Sequence, residues 1–543
     1  MQTRIIVFSF IIAIMLPVCF NTWGLTESSE ARYAEISREM YLGGDYIHPK
    51  LLGIDHYHKP PLTYYITALG YAVFGVNEYG ARFFPAIALL LQLLLVFKIT
   101  MLLFNDRKTA LIATLFYFSY PIVHAAARNL TTDCFLTTFI FAAIYFYLKH
   151  RQTICYRYIY LFYFFCGLCF LTKGPVGFLP PGIFAIAWSI VFKNERKKIS
   201  IHHIVAMLLG VLICVSWFLA LIINNPSLVD YFVNHQLVDR VASNSFGRSQ
   251  PVWYYLLFMP LAGFPAIFVF IDYLIQGLKK SRVMKPINLV SGISFLICFI
   301  VFSISSSKLI FYVLPLYLFA AILSARYLLT VSERKQKIYS DIFFYFSVLL
   351  LAAFGFAGLF VTKLTIPVLP VGIACAVAIV ILILIKYKSK LPFTVSMVLV
   401  PVSCITLLTF ISPFVLKQNE LEINSIKPVA EFINRQPVTD SNSIIVYDQL
   451  LPSLQFYTNS KLVTIHNVNT SSQREIQFET GNRKDEKRYF EVSKDMQSQA
   501  FHDLSNKARY LVAKTNQPVP DSLSFLTSRL QHKTMMGKWI IYH

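Results

Sequence analysis

Charge is scarce in this 543-residue chain, and what there is leans to one sign. Charged residues make up 14% of the sequence against 56% hydrophobic, and 49 Lys and Arg face only 28 Asp and Glu, for a formal net charge of +21. A hydrated globular surface needs far more charge, so a soluble protein is excluded. In a soluble domain the basic balance would suggest nucleic acid; in a membrane chain it is read by position against the spans. Cysteine is missing where a disulfide framework would need it: all nine (Cys19, Cys134, Cys155, Cys166, Cys169, Cys214, Cys298, Cys375 and Cys404) lie in or beside apolar segments, none in the polar C-terminal stretch. This argues against a disulfide scaffold or a Cys-based metal site. The sequence also lacks an internal repeat and a Gly-rich phosphate loop.

What the chain has in abundance is long apolar runs. Runs of roughly 17 to 25 residues, the length that crosses a hydrocarbon core, occur near 4–22, 80–104, 109–126, 131–148, 156–172, 175–193, 203–223, 253–275, 287–305, 308–328, 341–361, 366–387 and 391–411. With the N-terminus in the cytoplasm, thirteen spans put Arg107 and Lys108, Lys149 and Arg151, Arg196 to Lys198, Lys279 and Lys280, Arg334 and Lys335, and Lys386 and Lys388 all inside. Every cytoplasmic loop then obeys the positive-inside rule, and none of this charge is left for nucleic acid. The first run lacks a small-residue cleavage site and continues into Trp23, so it reads as a span rather than a signal peptide.

The same parity places residues 24–79, the loop 224–252 and the tail 412–543 on the exterior, periplasmic side. The expected organisation is a multi-span α-helical membrane domain over 1–411 and a small α/β domain over 412–543. The tail alternates strand-like Ser443–Tyr447, Leu462–Ile465, Tyr510–Ala513 and Trp539–Tyr542 with helix-like Ile426–Arg435, and its polar middle around Asn467–Lys487 reads as loop.

The densest ionisable stretch follows the first span. Thr26 to Met40 reads as one short helix, with Ser28 or Ser29 as cap, Glu30 in the first turn and Gly43-Gly44 as its end. Spacings of three and four place Arg32, Glu35 and Glu39 on one stripe. Taken alone, this is equally a hydrated, self-paired helix at the interface. The continuation is more specific: Gly44-Asp45-Tyr46-Ile47-His48-Pro49, then His58-Lys59-Pro60-Pro61-Leu62-Thr63-Tyr64-Tyr65.

These three ordered motifs resemble the first exterior loop of lipid-linked-sugar glycosyltransferases of the GT-C class, in particular the bacterial 4-amino-4-deoxy-L-arabinose transferases that modify lipid A, and their protein O-mannosyltransferase relatives. Thr131-Thr132-Asp133, Leu171-Thr172-Lys173-Gly174-Pro175, Tyr231 to His235 with Arg240, and Ser307-Lys308 to Tyr312 extend the resemblance, all at exterior span ends. It implies a GT-C-like fold and transfer of a sugar, a hexose or pentose, from undecaprenyl phosphate, with inversion, to lipid A of lipopolysaccharide or another periplasmic acceptor. It also implies catalytic roles for Glu30, Glu27, Lys59 and Arg32, and substrate binding by Tyr33, Asp133, Lys173, His235, Arg240, Lys308 and Tyr312.

From the residues alone, Lys173 and Lys308 read equally well as snorkelling anchors at span ends. His235 alone reads as a packed loop histidine, and Asp133 as half of a structural ion pair with nearby Arg128. Two positions depart from the family. Ser29 stands where it usually has an Asp, and His58 where the arabinose transferases commonly have Glu. No cofactor is required by the reaction, but His58 and His235 are candidate zinc ligands. Protein O-glycosyl transfer is the first alternative. A lipid-linked glycan transporter is the second, disfavoured because the spans carry few ionisable residues near the midplane.

Overall fold

The computed structural model describes residues 22–543 apart from 28, 154, 194–199, 233–249, 280–284, 436–442, 468–474 and 479–486. The run expected to form the first span lies almost wholly outside the described residues, as do Ser28, His235 and Arg240. The chain divides into two units. One comprises residues 1–19, 60–62 and 82–412; the other comprises 20–59, 63–81 and 413–543. The first long loop, grouped above with the spans, thus belongs with the tail.

In the first unit all the other apolar runs form helix. Among the described residues eight helices are long and apolar enough to cross a membrane: Glu78–Phe104, Thr132–Thr153, Ile201–Asn224, Pro286–Ile304, Ile310–Leu328, Glu333–Phe360, Val368–Lys388 and Phe393–Gln418. The pair Arg107–Phe118 and Pro121–Ala127 passes the same length and composition test only when joined, and it is bent by 68°. The bend has a sequence cause: Pro121 disfavours helical ψ at the residue before it, and Tyr120 sits at ψ 122°. Tyr156–Lys173 adds a helix of 18 residues, about 27 Å at 1.5 Å per residue. It stops at Gly174, whose φ of 77° suits a residue without Cβ, just before Pro175. The expected run 253–275 is two helices, Tyr254–Ala262 and Ile267–Lys279.

Burial sorts these helices. Thr132–Thr153 is mostly enclosed, whereas Val368–Lys388 is mostly exposed. Polar side chains of neighbouring helices meet on the enclosed one. Gln92 donates to the Cys134 carbonyl at 2.9 Å and to Thr138 Oγ1 at 3.0 Å, and accepts from Tyr117 at 2.7 Å. Gln92, Thr138 and Tyr117 thereby satisfy one another within the spans, as a lipid surround demands.

The second unit is built on a six-stranded sheet of order β5-β4-β3-β6-β8-β7. Its strands are β3 (Ser443–Tyr447), β4 (Leu462–His466), β5 (Tyr489–Glu491), β6 (Ala508–Lys514), β7 (Lys533–Met536) and β8 (Trp539–Tyr542). The order skips β1 (Lys50–Leu51) and β2 (Ile54–Asp55), an antiparallel pair in the first loop. β5, β4, β3 and β6 run parallel, while β8 and β7 add antiparallel. Strand period two divides the core. Ile444 and Val446 face a cluster with Leu454, Val429, Ile433 and Trp539, and Ile445 and Tyr447 face one with Phe490, Phe501 and Leu526. The first cluster also takes Ile36, Met40, Leu51, Leu52 and Tyr64, so the first loop closes one face of the tail's sheet.

Candidate active site

The loop helix α1 (Ser29–Gly43) is not a hydrated surface helix: Glu30, Ala31, Ala34, Glu35, Ile36, Ser37, Arg38 and Met40 are all buried. Buried charge needs partners, and α1 has them. Arg38 holds Glu35 through two bonds of 2.8 Å each and donates to Asn459 at 2.8 Å. Gln455 donates to Glu35 at 2.7 Å and to Glu39 at 2.9 Å. Glu39 also accepts from the Gly53 amide. Gly53 has φ +80°, a backbone conformation that favours glycine. The expected Arg32–Glu35–Glu39 stripe is therefore replaced by Glu35–Arg38, and Arg32 is released for another partner.

That partner is Glu475, from the stretch of tail read as loop. Arg32 Nη1 lies 3.0 Å from Glu475 Oε1, His56 Nε2 lies 2.7 Å from Oε2, and His58 Nε2 lies 3.8 Å from Oε2. Side chains two apart in an extended segment share a side, which brings the His56 and His58 rings to 4.4 Å. Between them Tyr57 points to Phe478, ring centroids 5.0 Å apart. Burial alone raises the Glu475 carboxyl, but the His56 hydrogen bond and the charges of Arg32, His56 and His58 outweigh it and hold it well below the usual carboxylate range. Lys59 follows directly, half-buried, on a backbone fixed by Pro60-Pro61. Tyr33, one residue beyond Arg32, packs on Tyr64 at 5.8 Å.

The three side chains His56, His58 and Glu475 are buried and each offers one ligand atom, all within 4.8 Å of one another. Two imidazole nitrogens and a carboxylate oxygen form a donor set that suits zinc with an open fourth position. The sequence reading placed His58 there but paired it with His235, which is outside the described residues; it missed His56 and Glu475. His-x-His was a visible signal. Glu475 had none, because its polar surroundings have no period.

The two expected acids are engaged locally. Glu30 accepts from the Thr26 amide at 2.9 Å and the Thr26 hydroxyl at 3.0 Å, tying the start of its own helix. Glu27 accepts from the Ser453 amide at 2.9 Å and hydroxyl at 2.6 Å. Burial pushes the Glu27 carboxyl up to about 7, against the lowering by the Ser453 bonds and the charges of Arg32 and Lys514. An acid raised in the folded state contributes stability that is fully present below its unfolded pKa, near 4.5, and is lost as pH rises through about 7. The stability of the full chain, read as its thermal midpoint, is expected to fall between about pH 4.5 and 7, by at most about 3 kcal/mol from this group, and Glu27→Gln to remove that share. An unchanged profile in the variant would contradict the assignment.

The other candidates lie in the first unit. Lys173 is not a snorkelling anchor: it is buried, paired with Asp133, and its Nζ lies 3.6 Å from the centre of the Tyr312 ring. Arg128, expected as the partner of Asp133, instead donates to the Thr409 carbonyl at 2.8 Å and Ser412 Oγ at 2.9 Å. The pairing follows from Asp133 opening one helix and Lys173 closing the next, which sequence neighbours do not reveal. Lys308 donates to the carbonyls of Gln250 at 2.7 Å and Ser305 at 2.5 Å, so it pins two loop segments.

The fold matches that of ArnT: a helical part with membrane-length helices and a small C-terminal sheet domain. The solved ArnT of Cupriavidus metallidurans bound to undecaprenyl phosphate superposes with a TM-score of 0.79 at 22% identity, covering 99% of this chain and 98% of that one. Its apo form gives 0.75 at 21% identity, covering 99% and 97%. In sequence, a family described as dolichyl-phosphate-mannose-protein mannosyltransferase matches residues 58–220. The chain is similar to the undecaprenyl phosphate-alpha-4-amino-4-deoxy-L-arabinose arabinosyl transferases of Pseudomonas aeruginosa UCBPP-PA14 (30% identical over 56% of each chain) and Pseudomonas fluorescens Pf-5 (29% identical over 57% of this chain and 53% of that one). The matched stretch spans little more than half the length of these relatives.

Proposed function

We propose that the protein is an inner-membrane glycosyltransferase, with its site and tail on the periplasmic side, that moves a sugar from undecaprenyl phosphate to lipid A. The observation that carries this reading is the cluster of buried Glu475, His56 and His58 with half-buried Arg32, next to Lys59. The leaving group is a phosphate, so cations must take up its charge as the glycosidic bond breaks. Arg32 offers a planar fork for phosphate oxygens and Lys59 a point charge. Glu475 holds the guanidinium in place until the phosphate competes for it. Displacement opposite the phosphate gives inversion at the anomeric carbon, and no nucleotide is needed because the lipid phosphate already stores the activation. Lipid A analysis by mass spectrometry in a deletion strain tests the reading: loss of one sugar unit supports it, and an unaltered lipid A with altered glycoproteins would favour protein O-glycosyl transfer, the alternative that the matching family description keeps open.

A phosphate acceptor needs no general base, which fits Ser29 at the position where the family places its Asp and Glu30 bound to Thr26. Glu30→Gln is therefore expected to leave the pH dependence of transfer nearly flat, because Gln still accepts from Thr26. A rate that depends on a carboxylate pKa in the native protein and loses that dependence in the variant would show a hydroxyl acceptor instead. We assign His56, His58 and Glu475 as the residues that would hold zinc, which when bound supplies a divalent charge beside Arg32. Elemental analysis is expected to find about one zinc per chain, lost in His56→Ala and in His58→Ala; equal zinc in native protein and variants would remove the site.

A further inference from the structure

In the sheet of the second unit the chain steps from β3 to β4 and β5 on one side, then returns to β6 on the other. The crevice outside the carboxyl ends of the parallel strands β3 and β6 is therefore a topological switch point, where open α/β sheets bind ligands. Three segments meet there. Gln449 lies just past β3, Lys514 closes β6, and Glu27 arrives from the first loop, bonded to Ser453. Lys538, at the turn into β8, joins them. Its carbonyl accepts from the Thr515 amide at 2.9 Å, and its ammonium donates to Asn424, whose Nδ2 donates to the Glu27 carbonyl at 2.8 Å. Strand pairing sets Lys514 opposite Trp539, and the two ammoniums stand 5.6 and 5.8 Å from the centre of that ring.

Charge in this crevice is poorly compensated. Lys514 donates to the Gln449 side-chain oxygen at 2.8 Å and Lys538 to that of Asn424, both neutral amides; among the described residues neither ammonium is in an ion pair. Burial and the Lys538 charge lower the Lys514 ammonium from its ordinary value, against the opposing charge of Glu27. Glu27 uses Oε1 on Ser453, while its buried Oε2 has no hydrogen-bond partner among the described residues, which is costly for a carboxylate. Sulfate would satisfy the lysines but set an anion against Oε2. A phosphate satisfies all three groups, because its bare oxygens accept from the lysines and its P–OH donates to Oε2. We infer that Lys514, Lys538 and Glu27 form a second phosphate site, which takes free hydrogen phosphate or the phosphomonoester of a lipid head group. Sugar transfer at Arg32 and Lys59 is not needed for it, so the two readings fail separately.

Purified full-length protein carrying Lys59→Ala, which weakens the proposed donor site, is titrated with radiolabelled inorganic phosphate at about pH 8, where Glu27 is ionised and hydrogen phosphate keeps its P–OH. Phosphate is expected to bind saturably, and sulfate to displace it at least about tenfold less well, the contribution of one charge-assisted hydrogen bond. Lys514→Met and Lys538→Met keep the side-chain stems on Trp539, and each is expected to weaken phosphate about tenfold or more. Glu27→Gln, whose amide can donate to sulfate, is expected to abolish the preference between the two anions. Equal displacement by sulfate in the parent protein, or undiminished phosphate binding in both methionine variants, would overturn the inference. The same titration in nanodiscs separates the sources. Loss of free-phosphate binding in phosphatidic acid discs but not in phosphatidylcholine discs assigns the lipid head group, and equal binding in both assigns the free ion.

Discussion

Arg32→Ala and Lys59→Ala are each expected to reduce sugar transfer by on the order of 10²-fold or more while the protein stays folded in the membrane, since a preorganised donor to developing charge is worth that much. The two positions differ in surroundings. Arg32 is held by Glu475 at 3.0 Å, whereas Lys59 is directed by the two prolines after it. Arg32→Lys is expected to recover little, because an ammonium cannot span Glu475 and a phosphate as a guanidinium does. Transfer assays with purified variants and a thermal midpoint for each decide the matter; near-native turnover in both alanine variants would remove the proposed site.

The second large effect is expected at Glu475. Its carboxylate is shared by Arg32 and His56, with His58 within 3.8 Å. Removing one member of a buried charged set typically costs about 3–5 kcal/mol, so Glu475→Ala is expected to lower the thermal midpoint as well as transfer. Glu475→Gln keeps the shape and separates the two effects. It is expected to hold most of the stability yet lose roughly 10- to 100-fold in zinc affinity or transfer. If Glu475→Gln retains native transfer and zinc content, the residue is a structural tie only.

The spans were legible because crossing a bilayer demands length and apolarity over a whole helix, a signal no loop imitates. The central strands were legible for a related reason: Ile444 to Tyr447 must fill the core on both faces of a parallel sheet. The edge strands Tyr489–Glu491 and Lys533–Met536 were missed, one being three residues long and the other having no fully buried residue. In the site, Arg32, Lys59 and His58 were carried by their motif. Glu475 was not, since a single acid in a polar stretch becomes meaningful only when folding brings it to Arg32. The Asp133–Lys173 pair was misassigned for the same reason: Arg128 is near Asp133 in sequence, Lys173 in space.

Reconstitution of the purified full-length protein in liposomes with undecaprenyl phosphate-linked 4-amino-4-deoxy-L-arabinose and lipid A tests the central claim most directly. The account predicts that undecaprenyl phosphate is released in step with sugar appearing on lipid A, and that the new linkage is inverted by NMR. Donor that crosses the bilayer with its glycosidic bond intact, or a product with retained configuration, would contradict it.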